Sequence, residues 1–172
     1  MSTVKLSVVV CVYNEEENIK PQIERIAQAL EAYEYEMVFV DDGSKDNTLR
    51  ELYSVEHPRL RVVELKKNYG QSLALMAGID YAQGEYIATM DGDLQNDPSD
   101  LPRMLKIAEE GGFDMVAGNR ANRKDGMVLR KIPSRIANYI IRSLTDVHLK
   151  DYGCALKVLK DDMAKDLGLY GV

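Results

Sequence analysis

The chain has 172 residues, is 45% apolar and carries a formal charge of −6. That size suits one domain with a sizeable core, and that apolar fraction excludes a disordered chain. The acidic balance excludes a whole-chain basic footprint for nucleic acid. Its two cysteines, Cys11 and Cys154, lack metal-ligand spacing and fit a reducing compartment better than a disulfide framework.

The first predicted element is a strand over Leu6–Val12, valine-rich and apolar on both faces, as in a buried parallel sheet. It is too short to span a bilayer and runs at once into Asn14-Glu15-Glu16-Glu17; no other segment could span either, so a soluble domain without a signal peptide is expected. Asn14, with Glu17 three residues on, reads as a capping box, and Ile19, Ile23, Ile26, Ala27 and Leu30 follow at helical spacing. A second strand, Met37–Val40, ends in the polar turn Asp41-Asp42-Gly43-Ser44, and a helix is expected from about Asp46 to Glu56. A third strand over Leu60–Leu65, a helix over Gly70–Tyr81 and a fourth strand over Glu85–Met90 lead to Asp91-Gly92-Asp93. Asp97 caps the next helix with Pro98 at its first position. Leu101, Met104, Leu105 and Ala108 form its apolar stripe, Gly111 and Gly112 stop it, and Phe113–Ala117 is a fifth strand. Beyond Gly118 the pattern changes to a loop over residues 120–126 and a helix over Ser134–Leu144, and the chain ends at Val172 without a clear stop signal.

This strand–helix alternation predicts an α/β layer with a mostly parallel sheet. Ligands of such sheets gather at the carboxyl ends of the strands. Three polar clusters fall there: Tyr13-Asn14-Glu15, Asp41-Asp42 and Asp91-Gly92-Asp93. Asp91 and Asp93 flank a glycine and repel each other unless a cation lies between them or one is protonated. Hard oxygen ligands suit Mg²⁺ or Mn²⁺ beside a diphosphate, and Gln95 adds a carbonyl oxygen. The competing reading is an acidic loop at a helix start, a task Asp97 already performs. Asp42 could accept hydrogen bonds from a nucleobase or ribose, or simply shape an Asx turn. No G-x-G-x-x-G follows the first strand, and three glutamates at that helix start oppose a phosphate. Residues 120–142 are locally basic, with Arg120 and Arg130 as candidate phosphate ligands and Arg123, Lys124 and Arg142 read as a solvated face. Neither His57 nor His148 has a partner for triad chemistry.

Val8–Glu15, Val40–Thr48, Gly84–Gln95 and Gly118-Asn119-Arg120 together resemble the family 2 inverting glycosyltransferases. Lys67-Asn68-Tyr69-Gly70-Gln71 and Asp151-Tyr152-Gly153-Cys154 are similar to the dolichol-phosphate mannosyltransferase-like, polyprenyl-phosphate group within them. The resemblance covers nearly the whole chain. It implies a GT-A fold, a Rossmann-like, mostly parallel sheet flanked by helices. It implies a nucleotide-sugar donor contacted by Cys11, Tyr13, Glu15, Val40 and Asp42, with Gly92 touching it through the backbone. It implies that Asp91, Asp93 and Gln95 hold the metal and diphosphate, that Arg120 and Arg130 meet phosphates, and that Asp151 serves the acceptor side or acts as a base. The implied acceptor is a lipid phosphate at the cytoplasmic face of a membrane. Two departures stand out. Cys11 takes a position where proline is usual, and the C-terminal membrane portion of the group is absent, so residues 1–172 read as a single, truncated catalytic domain. Transfer to a saccharide hydroxyl is the alternative within the class. A receiver-like signalling module or a non-catalytic nucleotide-binding domain is the alternative outside it, although no lysine closes the fifth strand as a receiver would need.

Overall fold

The structure is a computed structural model that describes residues 3–118 and 156–166. Its elements are β1 (Leu6–Val12), α1 (Ile19–Ala29), β2 (Tyr35–Asp41), α2 (Thr48–Ser54), β3 (Leu60–Glu64), α3 (Gln71–Tyr81) and β4 (Tyr86–Asp91). A 3₁₀ turn (Pro98–Asp100), α4 (Leu101–Gly111), β5 (Met115–Ala117), β6 (Lys157–Lys160) and α5 (Asp161–Asp166) complete them. The strands form one sheet in the order β3-β2-β1-β4-β6-β5. β1 pairs in parallel with β2 and β4, and β2 with β3, while β6 runs antiparallel to both of its neighbours.

Alternation along the strands divides the core. Leu6, Val8, Val10 and Val12 of β1 pack with Ile19, Ile23 and Ile26 of α1, Leu52 of α2 and Leu101, Met104, Leu105 and Ala108 of α4. Val9 of β1, with Val38 and Val40 of β2, packs on the other face with Ala74 and Ile79 of α3 and Ala164 of α5. After β3 the chain returns across β2 and β1 to form β4. Right-handed crossovers in opposite directions require α1 and α3 on opposite faces, as found. The gap between the ends of β1 and β4 is thus the switch point of the sheet, the place where ligands of open α/β sheets bind.

The register brings the rim level. Cys11 lies opposite both Val40 and Asp91, and Val12 opposite Asp41. The loops after β1, β2 and β4 therefore leave the sheet side by side. Asp97 caps as its sequence position predicts, accepting from the Ser99 N–H at 3.0 Å with Pro98 next, but it opens the 3₁₀ turn that precedes α4. Gly112 ends α4 in the left-handed region at φ 63°.

Two expectations are corrected. Asn14 does not cap α1, which starts at Ile19 behind Asn18. Asn14 sits at φ 54°, and its Oδ1 instead accepts the Lys45 N–H at 2.8 Å. The capping-box reading failed because the residues after β1 are tied to the loop after β2. The fifth strand does not extend the parallel sheet directly, since β6, a strand not expected from the sequence, lies between β4 and β5. That antiparallel insertion also separates the fold from the all-parallel receiver type. The loop expected over 120–126 and the helix over Ser134–Leu144 lie outside the described residues.

Candidate active site at the carboxyl rim

A cleft of about 390 Å³ opens at the switch point. β1 and its loop supply Cys11, Val12, Tyr13 and Glu15, and Asp42 follows β2. Asn68, Gly70, Gln71 and Ala74 come from the start of α3 and the loop before it, and Asp91, Gly92 and Asp93 from the end of β4. Of the residues assigned from sequence, the fold brings together Cys11, Tyr13, Glu15, Asp42, Asp91, Gly92 and Asp93. It does not bring Val40 or Gln95 to the cleft wall. The Val40 side chain is fully buried beneath α3. Gln95 is exposed, and its N–H donates to Asp93 Oδ1 at 3.1 Å. Arg120, Arg130 and Asp151 lie outside the described residues.

The walls are held by hydrogen bonds between loops. The Asn14 N–H donates to Ser44 Oγ at 2.9 Å and the Glu15 N–H to Thr48 Oγ1 at 2.8 Å. The Asn47 N–H donates back to Glu16 Oε2 at 2.9 Å. Asp42, 4% exposed, spends both carboxylate oxygens on the loop before α3: the Tyr69 N–H reaches Oδ1 at 2.8 Å and the Gly70 N–H reaches Oδ2 at 3.0 Å. Its role in the structure is therefore to clamp that loop. Gly43 lets the loop close on it, with φ 68° and a position where a Cβ would lie 2.4 Å from the Lys67 carbonyl carbon. Gly92 is likewise pressed against β1, since a Cβ there would lie 2.5 Å from Val12 Cγ1.

Gln71, at the first position of α3, donates from Nε2 to Asp91 Oδ1 at 2.7 Å. The candidate residues drawn from sequence omit Gln71, Asn68 and Gly70. Their signal was the polar run Lys67–Gln71 at a strand-to-helix junction, which carried the resemblance without a role attached.

The electrostatics of the cleft are one-sided. Glu15, Asp42, Asp91 and Asp93 line it, and no lysine or arginine is among its described lining residues. Burial pushes the Cys11 thiol up to about 12, and the charges of Asp91 and Asp42 push the same way. The hard donors that the lining offers a cation are carboxylate and amide oxygens. No three His, Cys, Asp or Glu side chains among the described residues form a closed metal cage. An oxygen-only, incomplete donor set fits Mg²⁺ or Mn²⁺, which take one or two carboxylates and fill the remaining positions with water and substrate phosphate.

Solved structures share this architecture. A mannosyltransferase from Pyrobaculum calidifontis, in complex with GDP-Man and Mn²⁺, superposes with a TM-score of 0.70 at 22% identity, covering 98% of this chain and 48% of that one. The fold is thus the GT-A fold of glycosyltransferases. The profile of glycosyl transferase family 2 matches residues 7–168, and the chain belongs to that family. The dodecaprenyl-phosphate galacturonate synthase of Rhizobium johnstonii is 48% identical over 99% of this chain and 52% of its own length. The undecaprenyl-phosphate 4-deoxy-4-formamido-L-arabinose transferase of Proteus mirabilis is 41% identical over 91% of this chain and 49% of its own. The chain spans about half the length of these curated relatives. Among the described residues no helix is long and apolar enough to cross a membrane.

Two outcomes follow from the geometry. Asp42→Asn keeps one acceptor and turns an NH₂ toward a backbone donor, so it should destabilise by about 1.5–3 kcal/mol. Urea unfolding would read this as a lower midpoint, with faster hydrogen exchange at the Tyr69 and Gly70 amides; an unchanged midpoint contradicts the clamp. With its thiol held neutral, Cys11 should react with iodoacetamide at pH 8 on the order of 10³-fold more slowly than a free cysteine. Mass spectrometry of the Cys11 peptide checks this, and the rate should rise with pH well beyond pH 9, because the raised value delays thiolate formation.

Proposed function

We propose that the chain is the catalytic domain of a metal-dependent inverting glycosyltransferase that moves a sugar from a UDP- or GDP-linked donor to a polyprenyl phosphate at the cytoplasmic face of a membrane. One observation carries the reading: four carboxylates and no cationic side chain line the described cleft at the switch point of a GT-A sheet. Such a cleft repels a diphosphate unless a divalent cation joins the two. The relatives named for transfer to polyprenyl phosphates supply the acceptor class.

On this reading Cys11, Tyr13 and Glu15 frame the nucleoside, and Asp42 holds the wall behind it. Asp91 and Asp93 would hold Mg²⁺ or Mn²⁺, with the Gln95 side chain as a further oxygen donor. A bound cation supplies charge neutralisation for the departing diphosphate. Gln71 orients the Asp91 carboxylate, and the amino end of α3 adds a partial positive charge at the same wall. The acceptor attacks the anomeric carbon opposite the leaving group, through an oxocarbenium-like transition state. A phosphate monoester, with a second pKa of about 6, arrives already ionised and needs orientation more than a base. Arg120 and Arg130 supply that orientation by their forked contacts to phosphate oxygens. A saccharide hydroxyl would need a base, and Asp151 is the candidate.

Calorimetry tests the donor site. UDP or GDP should bind with Mn²⁺ and not with EDTA, and Asp93→Asn should weaken the metal-dependent part at least about tenfold by removing a carboxylate ligand. Metal-independent binding, or none, overturns the reading. Asp151→Asn tests the acceptor in a transfer assay with undecaprenyl phosphate. Retained turnover agrees with a phosphate nucleophile, whereas a loss of about 10²–10⁴-fold reveals an obligatory base and favours a hydroxyl acceptor.

A further inference from the structure

The loop that carries Asp91 and Asp93 does not hold its own shape. Leu94, the next residue, sits at φ 63°. A leucine there pays a steric penalty that glycine or asparagine largely escapes. Such a conformation persists only where its surroundings impose it.

The surroundings are on α1. Arg25 Nη1 donates to the Leu94 carbonyl at 3.2 Å, and its Nη2 lies 3.7 Å from Asp97 Oδ1, the carboxylate that caps the following turn. One planar guanidinium therefore ties the bend at Leu94 to the capping turn that follows it. One helical turn earlier, Gln22 is fully buried and donates from Nε2 to Sδ of Met90, the residue before Asp91, at 3.6 Å. Residues three apart share a helix face, so a single face of α1 meets the acidic loop before and after its carboxylates. Arg25 is half-buried and lies outside the cleft lining.

We infer that Arg25 is a positioning residue for the metal site: by holding the strained Leu94 bend to α1 and to Asp97, it fixes the spacing of the Asp91 and Asp93 carboxylates for a divalent cation. The inference rests on the proposed metal-dependent reading of the cleft. Lysine replaces the fork only in part, because its compact ammonium lacks the rigid, planar spread of donors that reaches both oxygens from one guanidinium.

The test measures Mn²⁺ binding to the full chain by electron paramagnetic resonance, with UDP or GDP present, well below the melting temperature. Arg25→Gln should weaken Mn²⁺ binding by about tenfold, the lower end for residues that orient metal ligands. Arg25→Lys should fall between it and the unaltered protein. Adding Leu94→Asn, which relieves the left-handed penalty, should restore part of the affinity lost in Arg25→Gln. Arg103→Gln, on α4 with Asp100 as its ion-pair partner at 3.6 Å, should leave binding unchanged. In turnover assays the Arg25→Gln defect should appear in the Mn²⁺ concentration needed for half-maximal rate and fade at saturating metal. If the unaltered protein shows no nucleotide-dependent Mn²⁺ binding, the reading of the cleft fails and takes this inference with it. If it binds Mn²⁺ and Arg25→Gln binds equally well, or changes only in melting temperature, the positioning role alone is overturned.

Discussion

Cys11 and Asp91 lie opposite each other in a parallel ladder, and the register of that ladder decides where the charged groups of the cleft fall. Because β1 also pairs with β2 so that Val12 meets Asp41, three strands stop at one level. A slip by one residue would turn every side chain of a strand to the other face. It would turn Asp91 away from the cleft. The two apolar faces of the sheet exclude such a slip, since Val8, Val10 and Val12 are needed on the α1 side and Val9 on the α3 side.

The same register crowds carboxylates. Asp42 resolves its share of the crowding internally, giving both oxygens to backbone donors of the Tyr69–Gly70 segment. Asp91 receives the Gln71 amide and Asp93 the Gln95 N–H, neither of which brings a full positive charge. Among the described residues no lysine or arginine lines the cleft, so its described walls answer best to a ligand that arrives with a cation. Cys11 adds no charge of its own to this crowd, because burial, and after it the charges of Asp91 and Asp42, discourage its ionisation.

The strands of the first half of the chain were legible because runs such as Leu6–Val12 are apolar throughout and end in polar turns. The rim clusters were legible for the same reason: each begins where such a run stops. What escaped depended on contacts between distant segments. Asn14 has the side chain of a helix cap, yet its partner is the Lys45 N–H, thirty-one residues on. Val40 stands next to the acidic turn but points under α3, and period-two alternation alone does not say which face meets the cleft. β6 offers four residues, two of them lysines, too few and too charged to read as an interior strand. Its place is set by pairing on both sides, with β4 and β5.

That position of β6 has a consequence for the order in which the molecule can assemble. Among the described residues β5 reaches the sheet through β6, whose residues follow it by about forty positions in the chain. During synthesis the four parallel strands and α1 to α3 can associate early, while β5 must wait with an open edge until Lys157–Lys160 has left the ribosome. Closing so long a connection is entropically slow compared with the local steps before it. Until β6 is in place, the side of β4 that it covers is an unpaired row of backbone donors and acceptors, the kind of edge most open to mispairing.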